Sequence, residues 1–372
     1  MERLKSVERP DRAAKLEEIG LSFHAWDDYW NEGVAYKFTA AQVDVIEAAT
    51  YELNRMCLKA VEHVVEHQRY DELGIPAEFH DAIAQSARMG DFSLYGRFDL
   101  AYDGVNPPKM LEFNADTPTS LLESAVAQWY WLKDLHPESD QFNSIHEKLV
   151  DQWKLLDKEI KKVYFASISK NEEDWVCVHY LMETAVQAGL DVEHIYLEDI
   201  GYDTVINAFV DLKGAEIPCL FKLYPWEWMM REEFAKHIPT TRTIFIEPLW
   251  KSILSNKGIL PILWELFPGH ENLLPAYRDP EYLVRYAKKP LFSREGANIS
   301  LIEYGTEIAS DEGPYGAEGH IYQQLVDLKS YDGCYPIIGS WIVGNQPAGM
   351  CIREDVLKIT TNMSNFIPHY FE

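Results

Sequence analysis

The chain has 372 residues, enough for two or three packed units or for one large elaborated domain. Its apolar content of 47% and its aromatic content of 13% exclude a disordered or fibrous protein. The net charge of −26 argues against nonspecific binding to nucleic acid or to anionic membranes, because both reward basic surfaces.

The five cysteines indicate neither a disulfide framework nor a zinc site. They are scattered, odd in number, and form no Cys-x-x-Cys pair or Cys/His cluster with zinc-ligand spacing. We therefore expect reduced, mostly buried thiols, as in a cytosolic protein. No apolar run approaches the roughly 20 residues of a membrane helix, and the N-terminus is too charged for a signal peptide. These features predict a soluble, cytoplasmic protein.

In the first part of the chain, helices are expected on both sides of a strand pair. Apolar residues recur every three or four positions over 41–68, which indicates an amphipathic helix. The other elements expected in this part are helices at 77–89, 120–134 and 142–161, and strands at 95–102 and 110–114.

The middle of the chain changes to a strand–helix–strand order, which predicts an inserted parallel unit. Its expected elements are a strand at 163–168, a helix at 172–189 and a strand at 192–197. The C-terminal part predicts an antiparallel region covered by few helices. Its expected elements are a helix at 260–267 and short strands near 289–303, 320–328, 334–344 and 348–360.

The two strands near residue 100 place polar side chains on one face. Strand side chains alternate with period two, so Arg97 and Asp99 share a face, and so do Glu112 and Asn114. A hairpin centred on 105–106 sets Asp99 opposite Glu112. The same register sets Arg97 opposite Asn114. The other face is expected to hold Phe98, Leu100, Tyr102, Leu111 and Phe113.

Two directly opposed carboxylates repel each other and destabilise a strand pair. A hard cation between Asp99 and Glu112 removes that cost, because carboxylate and amide oxygens are the ligands that Mg²⁺ prefers. The alternative is an ordinary hairpin with a solvated polar face, since a cross-strand pair is worth only about 0.2–1 kcal/mol. The nearby Arg97 and the small-residue run 115–120 before a helix near Leu121 favour a metal–phosphate site.

A second polar group lies at 287–299, where the pattern predicts a strand, a small-residue loop and another strand. Lys289 entering this loop can neutralise phosphate oxygens, and Gly296 lets backbone N–H groups approach them. The loop is not a Walker A motif, and a plain turn with solvated basic side chains is the alternative.

Two further basic residues, Lys257 and Arg353, could belong to the same site or could have ordinary structural roles. Lys257 precedes an apolar helix and would be solvated near the helix start. Arg353 lies in an expected strand and would form a surface ion pair with Glu354 or Asp355.

Taken together, six segments in the same order resemble the synthetase domain of the glutathionylspermidine synthase family, a group of ATP-grasp carbon–nitrogen ligases. They are RFD at 97–99, LEFNADTPTS at 111–120, EPLWKSILSNKGILP at 247–261, AKKPLFSREGANI at 287–299, IYQQL at 321–325 and GMCIRED at 349–355. The resemblance covers nearly the whole chain. It implies an ATP-grasp-like fold of mixed α+β and α/β type in one synthetase domain, 1–372. The approximate sub-regions are 1–160 for the metal-site hairpin and helices, 161–247 for the inserted unit and 248–372 for the nucleotide.

The resemblance also implies roles for individual residues. The residues implied to bind the Mg²⁺ ions on ATP are Asp99, Glu112 and Asn114. Arg97 would stabilise the transferring phosphoryl group or an acyl-phosphate, and Arg353 would add positive charge beside it. The residues implied to contact ATP are Lys257 and Lys289 at the phosphates, Ser293, Gly296 and Asn298 in a closing loop, and Gln323, Gln324 and Leu325 beside adenine. The residues implied to touch the acid substrate are Thr117, Thr119 and Ser120.

Two departures from the family pattern affect the substrate. Larger members carry an N-terminal amidase domain, for which this chain has no room. The family's serine-rich stretch is Thr117 to Ser120 here, so the chain is more similar to the stand-alone acid–amine ligases than to glutathione-specific members.

The implied reaction is ATP-dependent amide formation between small molecules, with ATP and Mg²⁺ as cofactors. A substrate carboxylate takes the γ-phosphoryl group, and an amine then displaces phosphate from the acyl-phosphate. Glu172, Glu173 and Asp174 would suit a cationic amine, although a solvated helix N-terminus is the favoured interpretation of this cluster. The alternatives are a non-catalytic nucleotide-binding scaffold and a ligase that joins two amino acids or peptides.

Overall fold

The computed structural model describes residues 1–26, 29–361 and 364–372. Its α-helices are α1 (Arg12–Glu18), α2 (Ala40–His67), α3 (His80–Met89), α4 (Gln128–Leu135), α5 (Ile145–Trp153), α6 (Glu172–Gln187), α7 (Trp226–Met229) and α8 (Ile259–Leu266). A π-helix, Glu123–Ala127, leads directly into α4. Within the described residues, no helix combines the length and the apolar character that crossing a bilayer requires.

The strands alternate with these helices in the first half of the chain and dominate the second half. They are β1 (Glu2–Lys5), β2 (Val34–Phe38), β3 (Tyr95–Ala101), β4 (Lys109–Asn114), β5 (Lys162–Ser167), β6 (Asp191–Tyr196), β7 (Gly201–Asp203), β8 (Ala208–Val210), β9 (Cys219–Lys222), β10 (Ile244–Ile246), β11 (Ala276–Tyr277), β12 (Arg285–Pro290), β13 (Ser300–Glu303), β14 (Thr306–Ser310), β15 (His320–Gln324), β16 (Tyr335–Val343), β17 (Gln346–Asp355), β18 (Asn365–Ile367) and β19 (His369–Phe371).

The sheet topology confirms the mixed fold class that the pattern predicts. Strands β10-β9-β5-β6 form a parallel sheet, with α6 connecting β5 to β6. Strands β11-β15-β12-β13-β14 form an antiparallel sheet. The hairpin β3–β4 belongs to a second antiparallel sheet, β18-β17-β16-β3-β4, which we call the central sheet. The division into one domain with three sub-regions stays a prediction.

Helix α2 has the boundaries that its periodicity predicts, to within one residue at each end. Thr39 Oγ1 accepts a hydrogen bond from the Gln42 backbone N–H, and the Gln42 side-chain oxygen accepts one from the Thr39 backbone N–H, which closes a capping box. The apolar face of α2 is buried, and its Thr50 hydroxyl lies 2.6 Å from the Ser340 hydroxyl of β16. The longest helix therefore packs on the central sheet.

Several of the expected elements are wrong in extent. The helix expected at 142–161 ends at Trp153, and downstream the Asp157 carboxylate accepts from the Glu159 backbone N–H, a local bond that competes with helix. The strands expected near 320–328 and 348–360 are also too long, because β15 ends at Gln324 and β17 ends at Asp355. The strand–loop–strand pattern predicted at 287–299 is confirmed by β12 and β13, between which Gly296 and Asn298 adopt positive φ angles. The sequence pattern does not predict the strands β1, β2, β7 to β11, β14, β18 and β19.

A fully buried ion pair joins the parallel sheet to the run after β4. Lys222 Nζ, at the end of β9, lies 2.6 Å from Asp116 Oδ1, and neither side chain has any exposed surface. The second carboxylate oxygen accepts from the Trp226 backbone N–H, and Lys222 also donates to the Tyr224 carbonyl. Both charges are therefore satisfied in a place that water does not reach.

Breaking this pair is expected to destabilise the fold strongly. Asp116→Asn leaves the Lys222 ammonium buried without its counter-charge, which costs about 3–5 kcal/mol in free energy of unfolding. Urea unfolding of the variant measures the loss. The matched control is Asp151→Asn, which removes an exposed partner of Lys154 and is expected to cost about 1 kcal/mol or less. Equal losses in the two variants would contradict the role given to the buried pair.

Candidate active site

The three large sheets meet around a cavity of about 290 Å³. The central sheet supplies Asp99, the antiparallel sheet of β11–β15 supplies Lys289, and segments that follow β5 and β9 supply Asp174 and Leu223. The cavity thus lies at the carboxyl ends of the parallel strands, where ligands bind in open α/β sheets.

The hairpin has the predicted register at its polar end. Asp99 pairs with Glu112, and Arg97 pairs with Asn114, so all four side chains face the cavity. The expected place of Leu111 on the apolar face is wrong. The register shifts next to Asp99, so Met110 enters the core in its place and Leu111 lines the cavity.

Asp99 accepts hydrogen bonds from two arginines on different strands. Arg97 Nε lies 2.8 Å from Asp99 Oδ1, and Arg353 Nη2 lies 2.7 Å from Asp99 Oδ2. Burial would lower the pKa of Arg97, but the Asp99 charge outweighs it and raises that pKa. The surface ion pair considered for Arg353 is therefore wrong, and Glu354 is instead held by Arg3 and Tyr36.

A glycine on the intervening strand permits this contact between β3 and β17. Gly339 of β16 pairs with Asp99 on one side and with Cys351 on the other. A Cβ atom at this position would lie 2.8 Å from Arg97 Cδ and 2.6 Å from Cys351 Sγ. The absence of a side chain therefore leaves room for the Arg97 side chain to lie across the sheet.

Glu112 is surrounded by positive charge from three other segments. Lys257 Nζ lies 2.8 Å from Glu112 Oε2, and Lys289 Nζ donates to the Leu111 carbonyl and to Gln323 Oε1. Burial alone would raise the pKa of Glu112, but Lys257, Lys289 and Arg353 outweigh it and lower that pKa. Burial lowers the pKa of Lys289 to about 8 despite the attraction of Glu112.

Most residues that the resemblance implies line the cavity. They are Arg97, Asp99, Glu112, Asn114, Thr117, Thr119, Ser120, Lys289, Gly296, Gln323, Gln324, Leu325 and Arg353. Lys257 and Ser293 instead border an adjoining crevice together with Glu112 and Asn114. The Asn298 side chain accepts from the Tyr315 backbone N–H at 2.7 Å and so shapes its loop. The roles assigned to all these residues stay predictions.

The loop at 293–298 lies close against neighbouring segments. A Cβ atom at Gly296, where φ is +78°, would lie 2.7 Å from the Thr360 carbonyl oxygen. Arg294 donates to Thr117 Oγ1 at 2.8 Å and to Glu227 Oε1 at 2.6 Å. Arg294 is therefore not the solvated loop residue that the plain-turn alternative predicts.

The end of the cavity near α6 is acidic. Asp174 lines the wall, and burial together with Glu173 and Glu295 raises its pKa to about 7. Burial and Glu173 also raise the pKa of Glu295. The interpretation of this cluster as a solvated helix start holds only in part, because Glu172 is exposed and bonded by Ser22 whereas Asp174 faces the cavity.

The opposite end is lined by aliphatic side chains. They are Ile299, Leu301, Ile308, Leu325, Val326, Leu328, Ile337 and Ile359. Sequence reasoning named only Leu325 among them. The others lie on strands and loops that converge only in the folded chain, so no local pattern marks them.

Comparisons with known proteins agree with this architecture. The family model described as "Glutathionylspermidine synthase preATP-grasp" matches residues 3–372. A Haemophilus influenzae protein named "Putative acid--amine ligase" is 44% identical, over 98% of this chain and 97% of that protein. The bifunctional glutathionylspermidine synthetase/amidase of Escherichia coli is 28% identical over 90% of this chain, which spans 58% of that protein's length.

One solved structure shows the fold alone. A glutathione synthetase-like effector from Globodera pallida superposes with a TM-score of 0.58 at 9% identity, over 98% of both chains. The expected fold class is thus confirmed by a structure of very different sequence. Because the family model matches almost the whole length of this chain, the chain belongs to the glutathionylspermidine synthase family.

Proposed function

We propose that this protein is an ATP-dependent carbon–nitrogen ligase that joins a carboxylic acid to an amine through an acyl-phosphate and releases ADP and phosphate. One observation carries the proposal. Two opposed carboxylates, Asp99 and Glu112, share one face of a hairpin inside a cavity and are surrounded by basic residues from three other segments. A scaffold has no need for such a concentration of opposed charges.

The donor atoms at the hairpin fit Mg²⁺ carried by a nucleotide. Within the described ranges, no three His, Cys, Asp or Glu side chains gather as a complete metal site. Asp99, Glu112 and the Asn114 amide instead offer a partial oxygen set, and Mg²⁺ commonly takes one or two carboxylates and completes its shell with water and substrate phosphates. When bound, Mg²⁺ would offset charge on the β- and γ-phosphates.

The basic residues around this set would hold the phosphates. Lys257 and Lys289 approach from separate segments and would contact the phosphate oxygens as point charges. Arg97 and Arg353 present guanidinium groups beside Asp99, where they would stabilise the charge on the transferring phosphoryl group. Because all four already contact protein groups, they are positioned before the reaction begins.

The aliphatic end of the cavity fits the base of the nucleotide. Its wall includes Leu301, Ile337 and Ile359, which offer apolar surface, while Gln324 presents an exposed amide beside them. The Gln323 amide is held by Lys289 and by the Met110 carbonyl, so it would position Lys289. The 293–298 loop would cover the phosphates between this end and the metal ligands, and so exclude water from the acyl-phosphate.

The acid and the amine would occupy the remaining part of the cavity. Thr117, Thr119 and Ser120 all line the cavity and would contact the acid. The Thr119 carbonyl accepts from Arg97 Nη1 at 3.0 Å, which joins this run to the hairpin. The acidic end formed by Asp174 and Glu295 would receive a cationic amine. The E. coli relative is named for glutathionylspermidine, so glutathione and spermidine are the first acid and amine to test.

The decisive test is ADP release from Mg-ATP in the presence of candidate acids and amines, with mass analysis of the product. Asp99→Asn is expected to abolish turnover, because it removes one of two carboxylate ligands while keeping the shape of the side chain. Because the change also removes the charge that faces buried Arg97, the variant is expected to be less stable, and circular dichroism at the assay temperature checks that it is still folded.

The control for this test lies in the same hairpin. Asp103→Asn changes a half-buried turn residue outside the cavity, whose side chain accepts from the Val105 and Asn106 backbone amides, and turnover is expected to remain. Full turnover by Asp99→Asn would refute the metal assignment. ATP binding without ADP release in any acid–amine mixture would instead favour a nucleotide-binding scaffold.

The proposed amine site predicts a substrate-specific defect. Asp174→Asn removes the carboxylate that would pair with the cationic amine, and a charge-assisted hydrogen bond is worth about 1.5–3 kcal/mol. The KM for the amine is therefore expected to rise about 10-fold or more, while the KM for ATP stays unchanged. Glu172→Gln, an exposed neighbour at the same helix start, serves as the matched control. Equal KM changes for ATP and amine would count against this assignment.

The raised pKa of Asp174 also predicts a dependence of stability on pH. A carboxyl group whose folded pKa exceeds its unfolded pKa makes the folded state bind more protons, so its contribution to stability falls as pH rises between the two values. The stability of Asp174→Asn relative to the wild type should rise between about pH 4 and pH 7 and then level off. Thermal unfolding across this range measures the difference, and a flat difference would contradict the assigned pKa.

A further inference from the structure

A buried carboxyl–phenol pair lies directly behind the wall of the acid site. Tyr29 Oη donates to Glu123 Oε1 at 2.6 Å. The Glu123 side chain is buried and does not line the cavity, whereas Tyr29 and Ser120 do. The Tyr29 and Ser120 hydroxyl oxygens are 3.5 Å apart. The phenol therefore stands between the cavity and a carboxyl group that substrates do not reach.

The backbone around this pair is unusual. Glu123 begins the π-helix Glu123–Ala127, an arrangement that is rare and frequent at functional sites. Ser120, three residues earlier, has a φ of +70°, a backbone conformation that residues other than glycine rarely adopt. Such strain persists only where the surrounding structure enforces it, and it often accompanies function.

The charged and titratable groups around the pair set its protonation. Burial raises the pKa of Glu123 to about 7, with Glu173 acting in the same direction and with Tyr29 and Arg97 opposing it. The Cys177 thiol also interacts with Glu123 and keeps a raised pKa itself. Burial, Glu123 and Glu173 raise the pKa of Tyr29, so its hydroxyl keeps a proton to pass on.

The proposed reaction needs a proton acceptor at this place. An alkyl ammonium such as that of lysine has a pKa near about 10.4, so the amine substrate arrives with its nitrogen lone pair blocked. Asp174 lies in the same cavity, and a carboxylate beside an ammonium group favours the protonated amine. Asp174 would therefore keep the amine charged and would not deprotonate it. Removal of the proton from the attacking nitrogen therefore calls for a different group.

We propose that Tyr29 and Glu123 form a proton relay that activates the attacking amine, an inference that rests on the proposed ligase function. Tyr29 Oη takes a proton from the ammonium nitrogen while its own proton passes to Glu123 Oε1. The freed nitrogen lone pair forms the C–N bond, and the acyl C–O bond to phosphate breaks with its electron pair going to the phosphate oxygen. The nitrogen gives its second proton to the departing phosphate, and Glu123 later returns its proton through Tyr29 to water.

Tyr29 is the catalytic residue in this scheme, because it would touch the reacting nitrogen, and Glu123 acts through it. The turnover rates of Tyr29→Phe and Glu123→Gln are measured with each of two nucleophiles and compared with the rates of the wild type. The first is the amine that gives product in the ADP-release assay, and the second is hydroxylamine, which is largely unprotonated at neutral pH and gives a hydroxamate. General acid–base catalysis contributes typically about 10²–10⁴-fold, so kcat with the amine should fall about 10²-fold or more in both variants.

The rate with hydroxylamine should remain that of the wild type, because acyl-phosphate formation does not use the relay. The KM for the amine should stay unchanged as well. In the variants the amine rate should keep rising with pH beyond the point where the wild-type rate levels off, since free amine from solution becomes the nucleophile. A merely structural pair would move neither the nucleophile preference nor this pH profile.

The matched control is Tyr95→Phe, which removes another buried tyrosine hydroxyl that bonds the same loop, at the Pro118 carbonyl. It should keep the wild-type pH profile and the wild-type ratio of amine to hydroxylamine rates. Equal losses with both nucleophiles in Tyr29→Phe, or an undiminished amine rate, would overturn the relay.

An infrared titration separates failure of the relay from failure of the ligase assignment. A protonated-carboxyl band that titrates near neutral pH in the wild type and vanishes in Glu123→Gln identifies Glu123 as a proton acceptor even if no acid–amine pair is turned over. The absence of such a band overturns the relay whatever the enzyme's substrates are.

Discussion

The arrangement of the candidate site depends on the repulsion between two carboxylates that face each other across a strand pair. Asp99 and Glu112 can occupy this position only if positive charge surrounds them, because like charges directly opposed destabilise a sheet. The chain supplies that charge from four places. Arg97 lies on β3 with Asp99, and Arg353 lies on β17, on the far side of β16. Lys257 and Lys289 come from two segments outside the central sheet.

The same contacts join the walls of the cavity. Lys257 links the segment before α8 to the hairpin. The Lys222–Asp116 pair links the parallel sheet to the run that follows the hairpin. Arg294 connects the 293–298 loop with both Thr117 and Glu227. Each wall of the cavity is therefore fixed by a charge-assisted contact, which keeps its groups in place without reorganisation when charge develops during a reaction.

Charge is unevenly distributed inside the cavity despite the strongly acidic chain. The basic residues lie around the hairpin, and the end near α6 carries Asp174 and Glu295. An anionic phosphate and a cationic amine would thus be attracted to different ends. Tyr29, with Glu123 behind it, also lines the cavity, and both interact electrostatically with Glu173.

The sequence by itself determined what depends on local periodicity and local turn geometry. The 3.6-residue pattern predicted α2, and the two-residue alternation with a central turn predicted the pairing of Asp99 with Glu112. The shift that replaced Leu111 by Met110 was decided only in the folded sheet. So were the contact of Arg353 with Asp99, the approach of Arg294 to Thr117 and the Tyr29–Glu123 pair, which join residues 94 to 254 positions apart. Local patterns carry no information about such pairings, because burial and charge compensation between distant segments exist only after the chain has folded.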